Sequence, residues 1–187
     1  MTVPTELDLR FRAAAARSGL LDAGYDIVDS PVGPLLVAAT DRGLLRVSFS
    51  SGDPEATLEE IARVAGPRIL RAPRSVDAAH RELDEYFAGR RRAFDLAVDL
   101  RGVAPFSVTV LGELAKVPYG RTATYGQLAA RAGHPKAARA VGMVMNRNPI
   151  PIVLPCHRII GATGSLVGYG GGLERKELLL RLEGVTF

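Results

Sequence analysis

The spacing of hydrophobic residues predicts two halves with different kinds of structure. In the first half, three short apolar segments at 25–30, 35–40 and 44–49 are separated by turn sequences at 31–34 and 41–43. Segments of this length bounded by Gly, Pro and Asp are typical of β-strands joined by tight turns. The pattern therefore predicts an antiparallel meander near the start of the chain.

Helices and one more strand are predicted after the meander. Residues 54–64 start with Pro54 after a potential capping Asp53, and residues 75–88 repeat the pattern of a cap followed by an apolar stripe. Alternation over 94–100 predicts a last strand. This half is therefore predicted to be an α+β scaffold domain, residues 1–103.

The second half, residues 104–187, is predicted to be mostly helical. Apolar spacing predicts helices at 105–117, 125–132, 136–146 and 173–183. The two middle helices are joined by a turn containing Gly133, which makes them a helix-turn-helix candidate. By itself this signal is weak, because helix pairs with glycine turns are common in α-rich domains.

Charge strengthens that interpretation. Residues 1–103 hold 14 Lys/Arg and 16 Asp/Glu, whereas residues 104–187 hold 10 Lys/Arg and 4 Asp/Glu. Clustered positive charge is the electrostatic pattern expected of a surface that meets phosphates. The alternative is a basic face that is merely solvated. Within the third helix, Ala137, Ala138 and Ala140 are small, and Arg139 is the long cation among them.

Composition limits the compartment and the chemistry. The single cysteine among 187 residues excludes an internal disulfide and a zinc site built from several cysteines, which fits a reducing cytosol. We expect no metal and no cofactor. The first 18 residues contain no apolar run of a secretory signal, and no stretch is long enough to span a membrane. The spacing of Leu7, Phe11, Ala14 and Ala15 predicts an amphipathic helix there, and we expect a cytoplasmic protein.

The candidate chemistry lies at Cys156. Residues 152–154 form an apolar run that predicts a short buried extended segment, and Pro155 restricts the backbone directly before the thiol. A thiol reacts as thiolate, and an adjacent imidazole or cation lowers its pKa. His157 and Arg158 are therefore suitable neighbours. The alternative is that this lone cysteine is a small buried apolar residue.

Two further features surround this segment. Residues 161–172 contain six glycines and Tyr169, a composition that allows backbone to approach a ligand closely but lacks the sequence of a phosphate-binding P-loop. Glu183 ends the last predicted helix, where the helix dipole disfavours a carboxylate. Either another group interacts with this charge, or it is a solvated terminal glutamate.

These motifs resemble a known family. The segment Pro155-Cys156-His157-Arg158 is similar to the reactive segment of the O6-alkylguanine-DNA alkyltransferases, also called methylated-DNA-protein-cysteine methyltransferases. Further segments that resemble this family precede it at 117–120, 124–125, 139–142 and 148–149 and follow it at 168–169 and 176–179. The resemblance runs without gaps over 106–184. It implies a ribonuclease H-like N-terminal domain with an antiparallel sheet and a C-terminal DNA-binding domain with a winged helix-turn-helix.

The resemblance implies an irreversible, single-turnover reaction on duplex DNA that contains O6-alkylguanine, with alkylated O4 of thymine as a further substrate to be tested. Cys156 would be the nucleophile, His157 its base through a water molecule, Glu183 the partner of that histidine, and Asn148 the brace of the turn. Tyr125 would orient the 3′ phosphate and donate a proton to the leaving guanine. A monomer, cooperative on DNA, is expected.

The resemblance also assigns residues that contact DNA and the flipped base. Arg139 would replace the extruded nucleotide in the base stack. The expected DNA-binding residues are Thr124, Tyr125, Lys136, Ala137, Ala138 and Arg139. The expected lining of the base pocket is Pro151, Val153, Gly168 and Tyr169.

The chain departs from the family pattern at two positions. Related proteins often carry tryptophan where Leu111 stands and glutamine where Ser107 stands, and this chain contains no tryptophan. Three other functions stay open: a protein that binds alkylated DNA without transfer, a cysteine hydrolase, and a helix-turn-helix regulator. Cys156 argues against the first, the basic helix pair against the second, and the Pro-Cys-His-Arg segment against the third.

Overall fold

The computed structural model describes residues 18–49 and 54–186, together with Arg10 and Ala14. The predicted N-terminal helix through Leu7 and Phe11 and the predicted cap Asp53 fall outside this part of the chain. The chain divides into two compact units, one comprising Met1–Asp84 and Asp95–Arg101 and the other Glu85–Phe94 and Gly102–Phe187. The proposed domain boundary between 103 and 104 stays a prediction.

The first unit is built on a four-stranded sheet. Its strands are β1 (Ala23–Val28), β2 (Leu35–Thr40), β3 (Gly43–Phe49) and β4 (Ile69–Arg71), in the order β3-β2-β1-β4. β1, β2 and β3 pair antiparallel, as the meander prediction requires, whereas β4 pairs parallel with β1. The sheet is therefore mixed, with the predicted antiparallel meander at its centre and one edge.

A helix packs against this sheet. Helix α1 (Glu55–Ala65) places Leu58, Ile61 and Ala65 against a core formed by buried residues of β1, β2 and β3. The spacing of these positions is that of one helical face, so the sequence prediction is confirmed. The predicted strand at 94–100 is wrong. That segment forms a single bridge, between Val98 and Leu44, and otherwise follows an irregular path.

The second unit is mostly helical. Together with the sheet of the first unit it confirms the predicted α+β class. Its elements include the end of α2 (Asp77–Phe87), α3 (Pro105–Ala115), β5 (Ala123–Thr124), α4 (Tyr125–Arg131), α5 (Ala138–Asn146), β6 (Ile159–Ile160) and α6 (Leu173–Leu182). β5 and β6 pair in parallel, which joins the start of α4 to the chain that follows Cys156.

The predicted helices differ from the observed ones by no more than two residues at either end, and α6 also differs in its buried face. Helix α5 begins at Ala138 instead of 136, because a turn through Gly133 and Pro135 continues to Ala137, which lacks helical geometry. In α6 the buried residues are Lys176, Leu179 and Leu180, whereas the apolar side chain of Leu178 is 38% exposed. The buried face of this helix thus contains a lysine beside two leucines.

Candidate active site

A strained turn presents the thiol. Ile152 is buried and has φ 76°, a left-handed conformation that is costly for a β-branched residue, roughly 1–3 kcal/mol. Residues 152–153 are therefore a turn and not the extended segment predicted from their hydrophobicity. Asn148 holds this turn at both ends: its Nδ2 donates to the carbonyl of Leu154 at 2.7 Å, and its Oδ1 accepts from the amide of Ile150 at 3.1 Å.

Cys156 follows directly on this turn. The amide of Cys156 donates to the carbonyl of Leu154 at 2.8 Å across Pro155, whose φ of −82° and ψ of 64° are those of an inverse γ-turn. Cys156, His157 and Arg158 then form one turn of 3₁₀ helix, and all three are buried. The backbone on both sides of the thiol is thus fixed by hydrogen bonds.

The environment of the thiol suppresses its ionisation. Burial raises the pKa of Cys156 to about 11, although a hydrogen bond from Asn148 and the charge of Lys176 act in the opposite direction. The sequence prediction that adjacent cations lower this pKa is therefore wrong, because desolvation of the thiolate is the larger effect. The resting thiol is protonated near neutral pH and needs a base to react.

Glu183 lies at the centre of a buried hydrogen-bond network. Its Oε1 accepts from Nε2 of His157 at 2.8 Å and from the hydroxyl of Tyr86 at 2.7 Å. Its Oε2 accepts from Nε of Arg158 at 2.9 Å and from the amide of Gly120 at 3.1 Å. Burial opposes ionisation, but hydrogen bonds from His157 and Arg158 outweigh it and lower the pKa of Glu183 to about 2. The carboxylate is therefore paired within the protein and not solvated.

This network fixes the state of His157. Burial lowers the pKa of His157 more than its contact with Glu183 raises it, so the imidazole is neutral near neutral pH. Because ionised Glu183 can accept but not donate, we assign the ring proton to Nε2. Nδ1 is buried and has no hydrogen-bond partner within the described part of the chain. The free lone pair of His157 is thus available as a base.

Arg158, Tyr86 and Gly120 are members of this site that the sequence did not assign. Nη1 of Arg158 also donates to the carbonyl of Val117 at 2.6 Å, and its guanidinium lies 5.9 Å from the ring centroid of Tyr119. Arg158 thus supplies the positive charge that compensates Glu183. Residues 119–120 belong to one of the segments that resemble the family, but nothing local in the sequence links Gly120 or Tyr86 to Glu183.

Tyr125 and Thr124 lie at the start of α4. Thr124 caps this helix: its Oγ1 accepts from the amide of Gln127 at 3.1 Å, and Oε1 of Gln127 accepts from the amide of Thr124 at 2.8 Å. The hydroxyl of Tyr125 donates to the carbonyl of Val167 at 3.2 Å, and burial followed by the charge of Cys156 raises the pKa of this phenol.

The predicted base-pocket residues come from two segments. Pro151 is buried and Val153 half-buried in the turn before Cys156, while Gly168 is exposed and Tyr169 half-buried in the glycine-rich segment. Burial, then the charge of Cys156, raises the pKa of Tyr169, and a hydrogen bond between the two side chains adds to this effect. The glycine-rich segment thus brings Tyr169 to the thiol.

Several exposed cations lie outside the buried site. Arg139 is exposed near the start of α5, and Lys136, Ala137 and Ala138 immediately precede or begin this helix. Among the described residues of 104–187, no acidic partner is found for five exposed basic side chains: Arg121, Arg131, Lys136, Arg139 and Arg147. Lys116, in contrast, pairs with Glu113 at 2.5 Å.

A cavity of about 390 Å³ lies between α3 and α5. Ser107 and Leu111, the two positions at which the sequence departs from the family pattern, both line it. None of the predicted base-pocket residues lines this cavity. Within the residues that the structure describes, there is no cluster of three potential metal ligands and no helix long and apolar enough to cross a membrane.

Comparisons with known proteins find relatives over most of the chain. Residues 105–185 match the family model described as 6-O-methylguanine DNA methyltransferase, DNA binding domain, and residues 24–100 match its ribonuclease-like domain. The methylated-DNA–protein-cysteine methyltransferase of Methanosarcina acetivorans is 44% identical over 160 residues, covering 86% of this chain and 97% of the relative.

Solved structures are similar as well. The crystal structure of Mycobacterium tuberculosis O6-methylguanine methyltransferase has 40% sequence identity and a TM-score of 0.74, covering 86% of this chain and 92% of that one. The structure of Mycobacterium tuberculosis OGT in complex with DNA has 40% identity, the same coverage and a TM-score of 0.75.

Proposed function

The chain belongs to the 6-O-methylguanine DNA methyltransferase family, and we propose that it repairs DNA by moving an alkyl group from O6 of guanine to the thiol of Cys156. The observation that carries this proposal is the buried series of Cys156, neutral His157 and ionised Glu183, in which His157 and Glu183 are 2.8 Å apart. Such a series activates a thiol that burial otherwise keeps protonated.

The reaction begins with removal of the thiol proton. We assign Nδ1 of His157 as the acceptor through a water molecule, since this buried atom has no partner among the residues described. The imidazolium that forms is stabilised by Glu183, whose oxygen already accepts from Nε2. A neutral histidine can act as base over the whole range above its lowered pKa.

Transfer then breaks one bond and forms another. The thiolate sulfur attacks the alkyl carbon, the bond between that carbon and O6 breaks, and its electron pair stays on the guanine. We propose that the hydroxyl of Tyr125 supplies a proton to the leaving base, and that the proton taken up by His157 returns through water to the phenolate of Tyr125, so that the thiol proton in effect ends on the guanine. The product is a thioether, which has no electrophilic carbonyl for water to attack, so each protein molecule reacts once.

The target base has to leave the duplex. The thiol is buried on a turn fixed by Asn148, whereas O6 of guanine lies within the base stack. Unstacking a nucleotide costs a few kcal/mol, and it costs least for a base that pairs poorly. We propose that Pro151, Val153, Gly168 and Tyr169 receive the extruded base, and that O4-alkylthymine is a second substrate to be tested.

The basic helix pair is the proposed DNA-binding surface. We propose that α4 and α5 form a winged helix-turn-helix, with Arg139 filling the space of the extruded nucleotide and Thr124, Tyr125, Lys136, Ala137 and Ala138 close to the backbone. The small side chains at 137 and 138 permit close approach to a groove. We further propose that the protein works in the cytoplasm as a monomer that binds DNA cooperatively.

Intact-mass spectrometry tests the proposed function. After incubation with a duplex that contains O6-methylguanine, the protein should gain the mass of one methyl group in place of one hydrogen, and an unmodified duplex should add nothing. An unchanged mass with tight binding to the damaged duplex would instead identify a protein that binds alkylated DNA without repairing it.

Arg139→Ala is expected to slow repair of duplex DNA about 10- to 100-fold. The variant lacks the side chain that fills the space of the extruded base, so part of the unstacking cost of a few kcal/mol is no longer offset. Reaction with free O6-benzylguanine should stay nearly unchanged, since this substrate needs no extrusion. The exposed Arg63 of α1 provides the control, Arg63→Ala. Equal slowing of both reactions would argue against the role of Arg139 in extrusion.

A further inference from the structure

Lys176 on α6 is fully buried, yet the mechanism above does not use it. Its ammonium donates to the carbonyl of Ile159 at 2.6 Å and to the carbonyl of Val167 at 2.9 Å. No carboxylate pairs with it within the part of the chain that the structure describes. Burying an ammonium without an anion is costly, so the two hydrogen bonds to carbonyl oxygens have to offset part of the lost hydration.

The two carbonyls belong to segments on either side of the reactive thiol. Ile159 starts β6 directly after the 3₁₀ turn that holds Cys156. Val167 lies in the glycine-rich segment 161–172, which carries Tyr169 to the thiol. One ammonium therefore joins α6 to the strand that follows Cys156 and to the glycine-rich segment.

The carbonyl of Val167 has a second donor, the hydroxyl of Tyr125 at 3.2 Å. The start of the segment is held by a local turn, in which the amide of Gly161 donates to Ser165 at 2.9 Å. Its end is held by Arg175, which donates to the carbonyl of Gly171 at 2.8 Å. Between these ends, Val167 is the point at which two side chains from two helices bind the segment.

We propose that Lys176 is a positioning residue that fixes segment 161–172 beside Cys156 through the carbonyl of Val167, which it shares with Tyr125. This inference rests on the proposed function, because the segment matters as a wall of the base pocket. Burial lowers the pKa of Lys176 to about 8, whereas a negative charge on Cys156 raises it. Ionisation of the thiol therefore favours the protonated form of Lys176, which is the form that donates to the carbonyl of Val167.

The absence of tryptophan from the chain permits a clean structural test. Val167→Trp places a single fluorophore in the segment at a side chain that is 40% exposed, and it leaves the backbone carbonyl in place. Adding Lys176→Met should raise quenching by acrylamide about twofold or more and speed hydrogen exchange in 161–172 but not in α6. Lys116→Met, at an exposed lysine of the second unit, is the matched control.

The functional measurement uses Lys176→Met with the natural Val167. Its rate with free O6-benzylguanine should fall about tenfold, since a misplaced pocket wall loses orientation of the base. Tyr125→Phe should increase the hydrogen-exchange rate of segment 161–172 less in the Lys176→Met protein than in the wild type. The two effects are not additive because both side chains bind the same carbonyl. Unchanged quenching and exchange in folded Lys176→Met protein would overturn the proposal. Absence of alkylation in the wild type would instead overturn the proposed function, and the exchange measurement would still test Lys176.

Discussion

Cys156→Ser is expected to gain no mass from a duplex containing O6-methylguanine under conditions in which the wild type reacts completely. Serine keeps the shape of the side chain, but its hydroxyl ionises far less readily than a thiol and is a much weaker nucleophile. Burial already raises the pKa of the Cys156 thiol to about 11, so the site has little capacity to generate an alkoxide. The measurement is intact mass followed by peptide mapping.

The same variant should still bind the damaged duplex, because the exposed cations of the second unit are unchanged. Since the chain has one cysteine, modification of the wild type by a thiol reagent should block transfer and map to one peptide. A methyl group found on Cys156→Ser would show that another side chain is the acceptor, and it would contradict the assignment of the nucleophile.

Local patterns predicted the elements whose stabilising contacts are close in sequence. The strands of the meander follow from short apolar segments between turns, and α4 follows from the apolar spacing over 125–132. These features depend on residues a few positions apart. The periodicity of apolar residues and the positions of turn residues therefore predict these elements without knowledge of tertiary contacts.

Contacts between distant residues explain the two errors in the sheet. β4 has three residues, too few for an alternating pattern, and becomes a strand through parallel pairing with β1. The segment 94–100 does alternate, but alternation records burial of side chains and does not supply a partner strand. With one bridge at Val98, its backbone does not form a ladder.

The candidate site also combines residues that the sequence indicated with contacts between distant residues that it did not. The sequence brought together Cys156, His157 and Glu183 through a family resemblance, but it did not indicate that Arg158 pairs with Glu183. Nor did it indicate that Tyr86, 97 residues from Glu183, donates to the same carboxylate. Lys176 was missed because a lysine in an amphipathic pattern is expected at the surface, whereas this one is compensated by two distant carbonyls.

Glu183→Gln is expected to destabilise the protein by about 3–5 kcal/mol, because it removes one partner of a buried ion pair and leaves the guanidinium of Arg158 uncompensated. The side chain of Glu183 is fully buried and that of Arg158 is 7% exposed, so solvent cannot replace the lost charge. Urea denaturation measures this free energy of unfolding. Glu177→Gln on the same helix is the control: its partner Arg181 is 71% exposed, and the change should cost about 0.5 kcal/mol or less.

Acid titration separates the charge of Glu183 from its packing. The folded-state pKa of about 2 lies below the ordinary 4.5, so this carboxylate stabilises the fold above pH 4.5. That contribution is lost as the pH falls from 4.5 towards 2. Glu183→Gln lacks a titrating group, so its free energy of unfolding should fall less over this range than that of the wild type. Parallel curves for the two proteins would show that ionised Glu183 does not stabilise the fold.

Alkyl transfer by Glu183→Gln should also slow, by about a hundredfold, when measured with free O6-benzylguanine well below the unfolding temperature. The amide no longer stabilises the imidazolium of His157, and its NH₂ group competes for the orientation of the ring. If the variant is destabilised but transfers at the wild-type rate, Glu183 supports the fold without taking part in activation of the thiol. A loss of both would link the buried charge of Glu183 to the reactivity of Cys156.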